Sequence, residues 1–324
     1  MPFFLIKKDI TTLRTDAIVN AANTALKMGG GVCGAIFKAA GIEAMQSACE
    51  ALSPINIGEA VLTPGFNLSA TYVIHTAGPV YRDGKHGEQE KLKACYTNSL
   101  NLAKQHHCKR IAFPLISSGI YGYPKEEALK IATDAIQRFL LDCEMEVTLA
   151  LFDSIQIRST LLGQVGAYLD TAYEPALSRA LLNAEIQAMQ SVQECGIGSP
   201  HYDGLDDLLE HLDESFSDTL LHLIQQKGRT EVEIYKRANL DRKHFSKIRT
   251  GGGYVPSKKT ILALAVALEL SLKETQWLLS LAGYSFSHAS KFDVIVEYFL
   301  KEHLYDIYCI NEVLFSYDQP LLGN

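Results

Sequence analysis

The 324-residue chain has no Cys-x-x-Cys pair. Its seven cysteines, Cys33, Cys49, Cys95, Cys108, Cys143, Cys195 and Cys309, are scattered and odd in number. That pattern argues for reduced thiols in a cytoplasmic compartment and against a disulfide framework. No apolar run reaches the roughly 18 to 20 residues that a membrane helix needs. No apolar segment follows Lys7 and Lys8, so no signal peptide is expected. The Gly-Lys-Ser/Thr ending of a P-loop is missing, and no Gly-x-Gly-x-x-Gly run sits directly at a strand end as dinucleotide sites require. His106-His107-Cys108 is the nearest approach to a metal cluster. Successive helical residues point about 100° apart and do not readily share one ion, so these side chains fit a helix C-terminus better. No metal and no cofactor are expected.

What the chain does have is glycine in two particular places. Ile18 to Gly41 runs from an apolar strand (Ala17, Ile18, Val19) into Asn20-Ala21-Ala22-Asn23, then Gly29, Gly30, Gly31 and Gly34, then a helix-like run from Ala35 to Ala40. Glycine lets a backbone approach a ligand closely, and a helix N-terminus offers free N–H groups to an anion. The alternative reading is a flexible turn. Ile111 to Pro124 repeats the arrangement: a buried strand, Ser117-Ser118-Gly119 and Gly122, then Pro124 opening a helix over Lys125 to Leu140. Two strand–glycine loop–helix units suggest two loops gripping one ligand at the carboxyl ends of neighbouring strands.

Around these loops the pattern alternates strands with helices. Strands are expected at Phe3–Ile6, Asp16–Val19, Glu59–Pro64, Tyr72–Thr76 and Glu146–Phe152, with helices at Ile42–Leu52 and Glu88–His106. This is an α/β sheet covered on both faces.

The pieces Asp9-Ile10-Thr11, Asp16 to Asn23, Gly29-Gly30-Gly31-Val32, Val73-Ile74-His75-Thr76 and Ile116 to Pro124 follow one another in a familiar order. Residues 1–172 resemble a macrodomain, the module that binds ADP-ribose. The resemblance implies a three-layer α/β fold with a mixed central sheet. It implies that Asp9 accepts a hydrogen bond from the adenine amine and that Phe152 packs on the adenine. Gly30 to Gly34 and the segment Ser117, Ser118, Gly119, Ile120, Tyr121 would wrap the diphosphate and distal ribose. Ile10, Asn20, Gly31 and Val32 lie within the matching pieces and count as ligand contacts, and Asn23 would reach the distal ribose. The residue types suit these tasks: a carboxylate for an exocyclic amine, backbone N–H groups for a diphosphate, an aromatic face for a purine.

The hydrolase branch of that family has four glycines, Val, Asp, Gly, and a His four residues after the Asp. Here Met28 stands at the first glycine, Cys33 at the Asp and Phe37 at the His. A neutral thiol is a poor acceptor and carries no carboxylate charge. A thiolate is favoured at a helix N-terminus; the plainer reading is a small space-filler. Asn23 and Cys33 are the catalytic candidates, and hydrolysis with a ligand phosphate as base stays open. His75, in an apolar strand, reads as a core histidine.

Residues 173–215 change character: an Ala- and Leu-rich helix over Pro175–Cys195, a Gly/Ser/Pro break, then an acidic stretch, together a partly helical linker. Residues 216–324 read as an all-α domain. Thr230 to Gly251 resembles the helix-turn-helix of phage-repressor-type domains. Val232, Ile234 and Ala238 would line the first helix, with Phe245 and Ile248 on the second. Asp241 is the N-cap between them and Asn239 suits the turn. Residues 227–259 hold ten Lys and Arg against three Asp and Glu, a net +7, which leaves −14 for the rest of a chain of net −7. Arg242, Lys243, His244, Lys247 and Arg249 are the candidate DNA contacts. Tyr235 departs from the pattern, since that position is usually small. The alternative is a helical protein-interaction module.

The expected activity is binding of ADP-ribose, with hydrolysis of an ADP-ribosyl linkage on a macromolecule or a small derivative. The alternatives are a non-catalytic reader and an ADP-ribose-responsive regulator acting through the helical domain on DNA or protein.

Overall fold

The structure, a computed structural model, describes residues 2–151, 159–172, 215–251 and 254–323. It divides into two compact units, Met1–Arg158 and Ser159–Asn324.

The first unit contains β1 (Phe3–Lys7), a 3-10 turn at Ile10–Thr12, β2 (Ala17–Ala22), α1 (Gly31–Ala40), α2 (Ile42–Glu50), β3 (Ala60–Pro64), β4 (Tyr72–Ala77), α3 (Glu88–Gln105), β5 (Arg110–Pro114), α4 (Lys125–Asp142) and β6 (Glu146–Leu151). The strands form one sheet in the order β1-β6-β5-β2-β4-β3. All pairs are parallel except β3 with β4. The mixed sheet follows from chain length between strands. Seven residues separate β3 from β4, enough for a turn and an antiparallel return, whereas every parallel pair needs a long crossover.

Both faces are covered, as the near-continuous apolar strands require. On one face Ile18, Val73, Ala77, Ala112 and Ala150 pack with Ile36, Phe37 and Met45 of α1 and α2. On the other, Tyr96 of α3 lies against Phe113 of β5, ring centroids 5.3 Å apart. The carboxyl ends of β1, β2, β5 and β6 therefore open on one edge, where both glycine loops emerge. The helix after the first loop starts at Gly31, earlier than the run at Ala35 suggests. Gly34 explains the tight start: a Cβ on it would stand 2.6 Å from the Gly29 carbonyl oxygen.

The second unit is helical: α5 (Ser159–Ala172), α6 (Phe216–Gln226), α7 (Glu231–Arg237), α8 (Arg242–Thr250), α9 (Lys258–Ala267), α10 (Leu272–Ser280), α11 (Lys291–Lys301) and α12 (Ile307–Ser316). The division into two compact units falls before α5, whereas the sequence reading sets its boundary at residue 172. Val165 and Leu169 of α5, one helical turn apart, are buried in the core of this unit. The expected helix at Pro175–Cys195 and the rest of the linker to residue 214 lie outside the described residues. Asp241 caps α8 by accepting from the His244 N–H at 2.7 Å, and Asn239 takes the left-handed turn at φ 55°. Val232, expected to line α7, is instead 52% exposed. Two residues on, Ile234 is buried, because positions two apart on a helix face opposite ways. Tyr235 is accommodated by burial against Phe245, ring centroids 5.9 Å apart. No helix among the described residues is long and apolar enough to cross a membrane.

Candidate functional site

Two cavities sit at the carboxyl edge of the sheet. The first, about 300 Å³, lies between the glycine loops. The second, about 470 Å³, lies toward β1 and β6. Gly31, Val32, Leu115 and Gly119 line both, so the two adjoin across these residues.

Of the expected residues, Asn23, Gly30, Gly31, Val32, Cys33, Ser117, Gly119, Ile120 and Tyr121 line the first cavity. Asp9, Ile10 and Ser118 line the second. Asn20 and Gly34 line neither. Asn20 is fully buried beneath the cleft, and Gly34 acts through the close backbone packing described above. Phe152 lies outside the described residues. Gly78, Lys8 and Lys125 line the cleft without having been singled out.

At the second cavity, Asp9 is both a cap and a wall. Its Oδ1 accepts from the Thr11 N–H (2.9 Å) and from Thr11 Oγ1 (2.8 Å), which fixes the carboxylate at the head of the 3-10 turn. No described residue engages Oδ2, which remains an acceptor for a ligand. Asp9→Ala should weaken ADP-ribose binding by about 1.5–3 kcal/mol, the range for a hydrogen bond to a charged acceptor. Equal calorimetric affinities for variant and parent would remove Asp9 from the site.

At the first cavity, the side chain of Asn23 fastens its own loop. Its Nδ2 donates to the Lys27 carbonyl (2.7 Å) and its Oδ1 accepts from the Lys27 N–H (3.1 Å). One N–H of the amide remains for a ligand. The Cys33 thiol faces the same Lys27 carbonyl at 4.0 Å and receives Asn20 Nδ2 at 3.6 Å. Opposite, Ser117 holds φ at 64°, an uncommon conformation for a residue with a Cβ. Its Oγ is buried and has no partner among the described residues. Gly78 makes this possible, since a Cβ there would stand 2.3 Å from Ser117 Oγ. Ile120, 79% exposed, reaches across: its Cδ1 is 3.0 Å from where a Gly30 Cβ would be. The two glycine loops thus meet over the cavity.

Beneath the cleft runs a buried polar seam. Asn20 of β2 and His75 of β4 are register partners on one sheet face. Asn20 Nδ2 lies 3.0 Å from His75 Nδ1, and Thr63 Oγ1 lies 2.8 Å from His75 Nε2. Burial pushes the His75 pKa down to about 4, so the ring is neutral at physiological pH. Burial likewise raises the Cys49 thiol to about 11. His75 is a core histidine with both ring nitrogens partnered, while the buried Asn20 Oδ1 has no partner among the described residues. The unfolded chain binds its proton near pH 6.5 and the folded chain only near 4, so stability is complete above 6.5 and falls as pH drops through this window. The loss amounts to about 3 kcal/mol by linkage. Urea unfolding of the parent and of His75→Gln across this window checks it; equal pH slopes would contradict the assignment.

In the second unit, Arg242, Lys243, Lys247 and Arg249 stand on the exposed face of α8, with Phe245 and Ile248 buried behind them. Arg249 pairs with Glu231 at 3.4 Å, and His244 Nε2 lies 3.1 Å from the Tyr254 hydroxyl.

The sheet and the two glycine-loop cavities define one candidate site at the carboxyl edge, with an acidic residue at one end and amide and thiol groups at the other. Comparison with known proteins gives the family. The model of the Macro domain matches residues 19–132. A macro domain-containing protein of Chlorobaculum tepidum is 57% identical over 137 residues, 42% of this chain and 79% of that protein. An O-acetyl-ADP-ribose deacetylase of Salmonella newport is 49% identical over 140 residues, 42% of this chain and 78% of that protein. A solved macrodomain of Oceanobacillus iheyensis with ADP shares 39% identity, covering 46% of this chain and 82% of that one, with a TM-score of 0.44. The chain belongs to the macrodomain family.

Proposed function

We propose that the first unit binds ADP-ribose and hydrolyses an ADP-ribosyl linkage, freeing ADP-ribose from a modified acceptor or a small derivative. The adjacency of the two cavities across the glycine loops carries this reading. Adenine fits the cavity with Asp9 and apolar walls. The diphosphate lies over the shared Gly31 and Gly119 backbone, where a helix N-terminus favours negative charge. The distal ribose then reaches Asn23, Cys33 and Ser117. The Salmonella relative, a deacetylase of O-acetyl-ADP-ribose, supports an ester of ADP-ribose as one substrate.

Hydrolysis adds water across the bond: in an acyl ester the hydroxyl goes to the acyl carbon and the proton to the ADP-ribose oxygen, and in a glycosidic linkage the hydroxyl goes to the anomeric carbon of the ribose and the proton to the departing acceptor. Cys33 as a thiol and the buried Phe37 supply neither a carboxylate nor an imidazole. The ligand's own phosphate oxygen then takes the proton from water, while Asn23 and the second loop position the sugar. Turnover by the parent is accordingly slow. The test is incubation of the full chain with O-acetyl-ADP-ribose and with proteins mono-ADP-ribosylated through several linkages, with free ADP-ribose measured. Release supports the reading. Tight binding without release leaves a non-catalytic reader, which the Cys33 and Phe37 positions favour.

A second reading concerns the second unit. The exposed cations of α8, held behind a capped four-residue turn, favour duplex DNA as partner, with α8 as the helix-turn-helix reading element. Arg242→Glu with Lys243→Glu should lower duplex affinity by at least about tenfold and flatten its salt dependence. Unchanged affinity, or no duplex binding by the parent, would leave a protein-interaction module.

A further inference from the structure

Three buried side-chain oxygens have no partner among the described residues: Asn20 Oδ1, Ser99 Oγ and Ser117 Oγ. Of these three residues only Ser117 lines a cavity of the candidate site. It is 7% exposed, so its hydroxyl is withdrawn from water as well as unpaired. A buried polar group in that state costs stability.

The next residue shows that the loop can do otherwise. Ser118 Oγ donates to the Leu115 carbonyl at 2.8 Å. Ser117 makes no such bond, and its backbone holds φ at 64°, where a residue with a Cβ is strained. Two backbone ties hold the loop in that shape. The Tyr123 N–H donates to the Ser117 carbonyl at 3.0 Å, and the Tyr81 N–H donates to the Tyr121 carbonyl at 2.9 Å. Tyr81 belongs to the segment after β4, which also supplies Gly78. A Cβ on Gly78 would stand 2.3 Å from Ser117 Oγ, so the missing side chain leaves room for the hydroxyl. Backbone strain, a reserved space and an unmade hydrogen bond thus coincide on one residue in the wall of the first cavity. Surroundings that enforce such a combination at a cleft mark a group kept for a ligand.

The proposed function puts the sugar beyond the diphosphate in this cavity. A ribose offers hydroxyls, and a serine hydroxyl both donates and accepts. Rotation about the Ser117 Cα–Cβ bond turns its unpaired oxygen from the Gly78 side toward such a hydroxyl. We propose that Ser117 is a specificity-determining residue, whose hydroxyl pairs with the distal ribose and so separates ADP-ribose from ADP, which lacks that sugar. The inference rests on the ADP-ribose reading. In that reading backbone N–H groups hold the diphosphate, and ADP gains nothing from the Ser117 hydroxyl.

The experiment is calorimetry of the full chain with ADP-ribose and with ADP, on the parent, Ser117→Ala and Ser117→Gly, beside urea unfolding without ligand. Ser117→Ala is expected to weaken ADP-ribose about fivefold, as loss of one neutral hydrogen bond does, and to leave ADP unchanged. Its urea midpoint should be no lower than the parent's, because the deleted hydroxyl had no partner. Ser117→Gly should lose the same selectivity and raise the midpoint, since glycine takes this φ without strain. An unchanged ratio of the two affinities in Ser117→Ala overturns the inference and leaves the ADP-ribose reading standing. A lower midpoint in Ser117→Ala overturns it as well, because the hydroxyl would then serve the fold. Failure of the parent to bind ADP-ribose overturns both the reading and the inference.

Discussion

Gly119→Glu is expected to lose ADP-ribose binding by more than about 10²-fold, some 2.7 kcal/mol, while keeping its fold. Gly119 is one of the residues that line both cavities, where the proposed function puts the diphosphate. A Cβ placed on it meets nothing within 4 Å, so a side chain is tolerated by the protein itself. On the proposed function that same open space is the ligand's. A carboxylate there would face the diphosphate as a like charge, and such a contact at about 4 Å costs about 4 kcal/mol at an effective dielectric of 20. Gly119→Ala separates bulk from charge and should bind measurably. Calorimetry on both variants, with thermal melts to show that they are folded, checks the pair. Parent-like affinity in Gly119→Glu would mean that the second loop is not the phosphate cradle.

Cys33→Asp should raise turnover by about 10²-fold, the usual worth of a positioned acid–base group. Cys33 is the third residue of α1, where the helix dipole favours negative charge. Asn20 Nδ2, now 3.6 Å from the sulfur, is already placed to donate to a carboxylate. The Lys27 carbonyl on the other side opposes it, and Phe37 still stands where the sequence resemblance implies a histidine in the hydrolase branch. The gain is therefore bounded. Cys33→Ala, by contrast, should leave ADP-ribose affinity nearly unchanged, one small apolar group replacing another. If Cys33→Asp folds, binds and gains nothing, the residue at this position does not limit the chemistry.

The parts of this site that were legible in the amino-acid order are those with a local cause. Glycine runs after apolar strands announce close backbone approach, and both loops line the cleft. Residues whose role depends on what folds against them were not legible in that way. Gly34 belongs to the glycine run but serves packing, because its neighbour in space is the Gly29 carbonyl. Gly78 is a lone glycine after β4, with only the following proline as a turn signal, yet Ser117 occupies the space its side chain would need. Asn20 had a readable signal: it alternates with Ile18 and Ala22 on the core face of β2, and a period of two places it under α1, outside the lining of the two cavities. The α5 boundary was also readable, in the apolar pair Val165 and Leu169. The mixed sheet order was not, since strand neighbours far apart in sequence are chosen by crossovers and not by any local preference.

The most direct test of the central claim is the crystal structure of the full chain with ADP-ribose. The account predicts one ligand lying through both cavities, its adenine amine within hydrogen-bond distance of Asp9 Oδ2, its diphosphate on the N–H groups beside Gly31 and Gly119, and its distal ribose between Asn23, Cys33 and Ser117. A ligand bound in the reverse direction, or outside the cleft formed by these two loops, would contradict it.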